Sequence, residues 1–489
     1  MAFGETVNSR DENQIFDRED EERALKLRPG YPGAVPDEVR PAPQEFARGS
    51  ILRAILRMGL PSVIGFLAVN IYDLADMFWV AKLGAQYVAA IALFEGFYWV
   101  LISTNDVAGL GSIAIISRRY GEGMLARAAS AIKETFILKW ICALVSGSIG
   151  LIFLRPLMRL MGAQGEVVDL GVQYGRVHMF ALGFYFCTYS VMTSLRSIDA
   201  PKKAMWLMIF GAILNMLLDP LLIFGLGPFP KLGIAGAAWA SALSFAATFA
   251  VGLYVFFIGR APVRLRWRGE VPVRLKTMGR MMRIGLPGGV NTVSFTLARA
   301  VITPLVAVFG TSVVASYGVG MRVMHLGILV IFGLSMGVSP LIGNLLGAGL
   351  KDRLWRTAHQ SLLLTLAVMT AMALVIFGLA PRIVLAFFQS ADLLAIGVEL
   401  LRIWSISLPF IGVWIISESI FHGAGDNVPP MLVSILASWL VQIPLILVFT
   451  KILGFDQTSV WWAWVIHSLF GASVILFWLH RGQWVERKV

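Results

Sequence analysis

About twelve stretches of this chain are apolar over a length that spans a bilayer, a pattern that soluble folds do not accommodate. They lie near residues 60–83, 86–117, 131–154, 170–195, 204–226, 233–258, 284–309, 312–346, 357–379, 396–421, 430–453 and 458–479. In lipid every backbone N–H and C=O needs a partner within the protein, so runs of roughly twenty apolar residues cross as helices. The chain is 57% hydrophobic and 14% charged. Together these features predict an all-α polytopic membrane protein whose solvent is the lipid bilayer. The run that begins at 312 is long enough to tilt or kink.

The formal net charge of +12 would point to nucleic acid in a soluble protein. Here Arg and Lys collect between apolar runs: Arg48, Arg53 and Arg57 before the first, Arg118, Arg119 and Arg127 after the second, and Arg196, Lys202 and Lys203 after the fourth. Lys351, Arg353 and Arg356 follow the eighth. Basic loops mark the cytoplasmic side. The expectation is a bacterial or archaeal cytoplasmic (plasma) membrane protein with both termini cytoplasmic and no nucleic-acid partner. Residues 1–47 are acidic and proline-rich, a composition expected of a disordered tail, and lack the apolar core of a signal peptide. Cys142 and Cys187 lie within apolar runs and suggest neither a disulfide framework nor a metal cluster.

The chain repeats itself at a fixed offset. Arg57-Met-Gly-Leu-Pro returns as Arg283-Ile-Gly-Leu-Pro, Gly84-Ala-Gln-Tyr-Val-Ala-Ala as Gly310-Thr-Ser-Val-Val-Ala-Ser, and Gly121-Glu-Gly as Gly347-Ala-Gly, each 226 residues later (283 − 57 = 226). A looser echo pairs Asp219-Pro220 with Ile443-Pro444. Two six-helix lobes related by a pseudo-two-fold axis are expected: an N-terminal lobe at 48–259, a basic cytoplasmic linker at 260–283, a C-terminal lobe at 284–480 and a cytoplasmic tail at 481–489. Parallel repeats of this kind place substrate and coupling sites between or within the halves, which favours a transporter.

Charges at membrane depth cost about 2.5 to 3.5 kcal/mol each on insertion scales. Asp73 and Asp76 lie in the first run, with Tyr72 four residues before Asp76 and so on its face. At about 1.5 Å per helical residue, Asp76 lies roughly 10 Å from the outer end of its helix. Asp219 of the fifth run lies at a matching depth, with Asn215 one turn away, and Ser241 of the sixth about 12 Å in. The set Asp76, Asn215, Asp219 and Ser241 suits a proton on a buried carboxylate or a monovalent cation such as sodium. The competing reading is a buried hydrogen-bond network that fixes helix packing.

These strings resemble the multidrug and toxic compound extrusion (MATE) family of cation-coupled exporters. The resemblance rests on NIYDLADMFWV (70–80), Gly84, LRSIDAP, LNMLLDPLLIFG (214–225) and GIAGAAWAS (233–241), with GLP at 285–287 and GNLLGAG at 343–349, and it covers about residues 50–480. It implies twelve helices in two six-helix lobes around a central cleft. It also implies a first-lobe cation site of Asp76, Asn215 and Asp219, joined by Ser241 where threonine is common, with Tyr72 and Tyr174 nearby. Asp73 stands where asparagine is common and adds a charge. The helix 7 glutamate of another branch is missing from Asn291–Arg299.

Glu95, Asp106, Arg299 and Glu418 are further charges within apolar runs. They are candidates for a substrate cleft, the alternative being local interhelical bonding. Arg299 holds in the second lobe the place of Asp73 (299 − 73 = 226). His325 and His467 read as packing or interfacial residues. No Walker A motif is present, so ATP does not drive the protein unaided. The expected function is a monomeric secondary antiporter, not an enzyme, that needs no cofactor and exports amphipathic, cationic drugs or metabolites against H+ or Na+. The competing classes are a lipid-linked precursor flippase, which basic residues lining the cleft would favour, and a membrane transferase using Asp73 and Asp76 on magnesium diphosphate, which divalent-metal dependence would favour.

Overall fold

The computed structural model describes residues 49–266, 272–388 and 390–487. The tail expected to be disordered, 1–47, lies outside them. Every regular element among the described residues is helical: α1 Ile51–Ala81, α2 Ala85–Gly121, α3 Leu125–Leu160, α4 Glu166–Ser197, α5 Pro201–Phe224, α6 Ile234–Phe257, α7 Leu275–Ala307, α8 Thr311–Gly347, α9 Lys351–Leu385, α10 Ala391–Ser405, α11 Leu408–Ala424, α12 Val428–Ile452 and α13 Thr458–His480. Ten are long and apolar enough to cross a membrane singly, and the pair α10–α11 does so together. The remaining long helix, α4, falls short of that apolarity. Its inward face buries Tyr174, Thr188, Ser190 and Arg196 among its neighbours.

The run expected as one helix at 396–421 is broken. α10 and α11 meet at a bend of 46°. Pro409 lies in the first turn of α11; it has no amide hydrogen to reach back to Ser405, and its ring disfavours helical geometry in the residue before it. α12 is likewise interrupted by π-helical turns at Leu436–Gln442 and Val448–Ile452, on either side of the segment that carries Pro444.

Packing follows the repeat. α1 lies against α5 in the first lobe as α7 lies against α12 in the second, and the lobes meet where α1 touches α8 and α2 touches α7. A two-fold rotation exchanges those two boundary contacts. α2 and α8 face each other across the axis, closest at the end that bears the basic loops. There a Cβ on Gly121 would lie 2.2 Å from the Asn344 carbonyl oxygen, and one on Gly347 would lie 2.1 Å from that of Arg118. The two contacts are repeats of each other (347 − 121 = 226 and 344 − 118 = 226), and only glycine allows such an approach.

The connection between lobes is tied down. Leu265 N–H donates to the Phe256 carbonyl at 3.1 Å, and Ala261, Val263 and Leu265 are buried. The buried Glu134 carboxylate accepts from Arg274 N–H (2.8 Å) and Ser130 Oγ (3.1 Å). Helix α7 begins at Leu275, so residues 275–283 of the expected linker are helical. At the far end of the chain, Trp484 is fully buried with its ring 5.2 Å from Trp355, while Arg118 of α2 donates to the Arg487 carbonyl at 2.6 Å. The described C-terminal residues therefore touch both lobes.

Candidate cation and substrate site

Helix α5 presents Asn215 and Asp219 one turn apart, and α6 brings Ser241 against them; all three are buried. In the amide orientation that satisfies both of its ends, Asn215 donates to Asp219 Oδ2 (3.1 Å). Its oxygen then accepts from Ser241 N–H and Oγ (3.1 Å each). The other carboxylate oxygen, Asp219 Oδ1, is buried with no partner among the described residues, and Asp76 Oδ1 is in the same condition.

Asp76 projects from α1, which packs on α5. It is close enough to act electrostatically on Asp219, and Asp73 and Glu95 in turn act on Asp76. Four carboxylates thus form one electrostatically linked set. Asp76 and Asp219, the less exposed of the four, repel most strongly when both are charged, and a proton or a cation relieves them; Asp73 and Glu95 are exposed. Tyr174 is buried, with its ring 5.3 Å from Phe94 and under the field of Asp76, Glu95 and Asp219. Tyr72 interacts with Asp73 and with Tyr185.

His178 adjoins this group and is absent from the sequence-derived set. Its ring centroid is 4.3 Å from that of Tyr174, and its buried Nδ1 has no partner among the described residues. The signal was its place four residues after Tyr174. Tyr98 continues the cluster, 5.9 Å from His178 and 5.0 Å from Phe94.

Of the four expected cleft residues, Glu95 and Arg299 are exposed, while Asp106 and Glu418 are half-buried and bonded to side chains. Glu418 accepts from Trp414 Nε1 (3.0 Å) and Asn291 Nδ2 (3.4 Å). Asp106 accepts from Thr292 Oγ1 of α7 (3.0 Å). Beside it stands Lys139 of α3, fully buried, whose ammonium donates to Asn105 Oδ1 (2.5 Å) and to the Asn105 carbonyl while acting on Asp106. Lys139 also was not singled out from sequence, although a lysine inside the 131–154 run is the same kind of signal that marks Asp76. His467 is buried and within 3.4 Å of Ser438 Oγ, as a packing residue would be; His325 is exposed.

The MatE family model matches residues 61–221 and again 287–448, one match in each lobe with starts 226 residues apart. The probable multidrug resistance protein YoeA of Bacillus subtilis is 26% identical over 91% of this chain and 97% of its own length. An FAD transporter of Shewanella oneidensis is 30% identical over 69% of this chain and 72% of its own. Among solved structures, the outward-facing conformation of a multidrug resistance MATE family transporter superposes with a TM-score of 0.83 at 25% identity, covering 91% of this chain and 99% of that one. A MOP superfamily transporter from Pyrococcus furiosus gives the same values.

Proposed function

Because the chain belongs to the MatE family of multidrug and toxic compound extrusion transporters, we propose that it is a secondary-active antiporter that exports amphipathic small molecules in exchange for a cation bound at Asp76 and Asp219. The observation that carries this reading is the pair of buried carboxylate oxygens, Asp76 Oδ1 and Asp219 Oδ1, on facing helices, neither with a partner among the described residues. Asn215 and Ser241 satisfy each other, which leaves few free oxygens to wrap a sodium ion, so the proton is the favoured coupling ion. Both sides of the cleft come from one chain, and a monomer suffices.

Taking the basic loops as cytoplasmic, the close contact of α2 with α8 would seal the cytoplasmic side, and the cleft of the proposed exporter would open outward. Protonation of the acids would then relieve their mutual repulsion and bias the lobes toward the opposite opening, in which substrate is collected. Drug release and proton entry would share the outward-open state.

The test is efflux of a cationic rhodamine methyl ester from proteoliposomes driven by a pH gradient alone or a sodium gradient alone. The pH gradient should drive efflux. Asp76→Asn and Asp219→Asn should each reduce it by about tenfold or more, the scale expected when a coupling group is lost, while reconstituting normally. Wild-type rates in both variants would remove the assigned site.

A further inference from the structure

The repeat carries a reversal of sign. Asp73 sits eight residues before the end of α1 at Ala81, and Arg299 sits eight residues before the end of α7 at Ala307, so the two lie at equal depth, about 12 Å in. The other acids of the linked set have apolar counterparts. Asp76 corresponds to Ile302 and Glu95 to Met321 (both offset 226), and Asp219 corresponds to Ile443 through the paired prolines.

Helical phase gives the direction in which the basic residues face. Thr292 bonds Asp106 across the lobe boundary. Arg299, seven residues on and so nearly two turns along, continues that face beyond the point of contact. On α8, Gly343 packs against Ser117 of α2, and His325 lies eighteen residues earlier, five whole turns along the same face. Both side chains are exposed, although the faces that bear them meet the first lobe at the basic end. Helical phase therefore turns both toward the cleft of the proposed exporter. Arg299 is close enough to act on both His325 and Tyr317. Among the described residues its guanidinium makes no ion pair and no side-chain hydrogen bond.

We propose that Arg299, assisted by His325, is an anion-binding subsite of the cleft, so that the preferred cargo carries a carboxylate or phosphate as well as a positive group. The cationic end would face Asp73 and Glu95 on the first lobe, and the anionic end would be gripped by the planar fork of Arg299. A cleft basic on both sides would suit the polyanionic head of a lipid-linked precursor; this one is basic on one side and acidic on the other. The inference deepens the exporter reading and rests on it for the cleft being the substrate path.

The test uses two probes that differ in one group, the rhodamine methyl ester and its free acid, with equilibrium binding to the purified protein followed by fluorescence anisotropy and no ion gradient. The free acid should bind about tenfold more tightly, the scale of one charge-assisted bidentate contact. Arg299→Gln should erase that preference, with acid affinity falling relative to ester affinity, and Arg299→Lys should keep only part of it, because a point charge survives but the planar fork is lost. Equal binding of acid and ester by the wild type, read without any variant, overturns the proposal. So does an Arg299→Gln protein that still prefers the acid. Coupling plays no part in this measurement, so failure of Asp76 and Asp219 as the coupling site leaves its outcome intact.

Discussion

Thr292 of α7 donates a 3.0 Å hydrogen bond to Asp106 of α2, joining a hydroxyl of one lobe to a carboxylate of the other. A hydrogen bond to a charged group contributes about 1.5 to 3 kcal/mol. It can exist only while the lobes hold their present relation. Thr292→Val keeps the shape and removes the donor, and should shift the balance of lobe arrangements about 10- to 100-fold toward the alternative. Spin labels at the exposed, repeat-related positions Gln86 and Ser312, in a background without Cys142 and Cys187, should then show a second, shorter distance by pulsed electron resonance. An unchanged distance distribution would mean that this bond does not hold the lobes.

Lys139 is fully buried beside Asn105 and Asp106. Replacing it with methionine preserves bulk, takes its hydrogen bonds from Asn105 and leaves Asp106 without its nearby cation. The Lys139→Met protein should melt well below wild type in detergent. Adding Asp106→Asn should recover much of the loss, and the thermal-shift cycle over all four proteins gives the coupling directly. Additive effects would show that the two residues are independent.

The glycine contacts on the axis predict a symmetric pair of phenotypes. Alanine at Gly121 or at Gly347 puts a Cβ within 2.2 Å of a backbone oxygen of the opposite lobe, which neither rotamer change nor small repacking relieves. Both variants should separate α2 from α8 and expose their basic ends to a membrane-impermeant thiol reagent aimed at a cysteine placed at Ser117. Gly318→Ala, where a Cβ meets open space, should change nothing. Reactivity in only one of the two axis variants would break the symmetry argument.

Two carboxylates rather than one set an expectation for stoichiometry. A proton entering down a potential of about 100 mV releases ~2.3 kcal/mol, and one pH unit adds ~1.4, giving ~3.7 per proton. Expelling a monovalent cation such as the rhodamine ester costs ~2.3, so a one-for-one exchange leaves ~1.4, a tenfold gradient. Two protons leave ~5.1, a gradient of several thousandfold. Solid-supported-membrane recordings should therefore show net inward positive charge with each ester exported. Electroneutral exchange would mean that Asp76 and Asp219 share one proton.

Asp76, Asn215, Asp219 and Ser241 could be picked out from sequence because a carboxylate in an apolar run is conspicuous and the four-residue spacing of Asn215 and Asp219 fixes a shared face. The two-lobe fold was legible for a similar reason, since one offset relates strings on several helices. Lys139 carried an equally visible signal, but its partners Asn105 and Asp106 are on another helix, and no spacing within α3 points to them. His178 and Tyr98 were hidden because aromatic residues at helical spacing are what ordinary packing also produces. The break between α10 and α11 depends on a single residue, Pro409, in a run whose apolarity is otherwise continuous. Hydropathy alone does not distinguish a straight span from a bent one.

In the proposed transport cycle, two glycines laid on two backbone carbonyls would make a gate without rotamers. Side-chain gates can close by degrees, because each rotamer is a partial setting through which water or a proton can slip. Backbone against backbone offers no side-chain settings in between, so on that cycle the passage would be either shut or parted. Each lobe supplies one glycine and one carbonyl, so the same rotation makes or breaks both contacts at once. An exporter that must keep protons from leaking between drug cycles gains from such an all-or-none closure, and its resting leak should depend on how often the lobes separate rather than on how its side chains fluctuate.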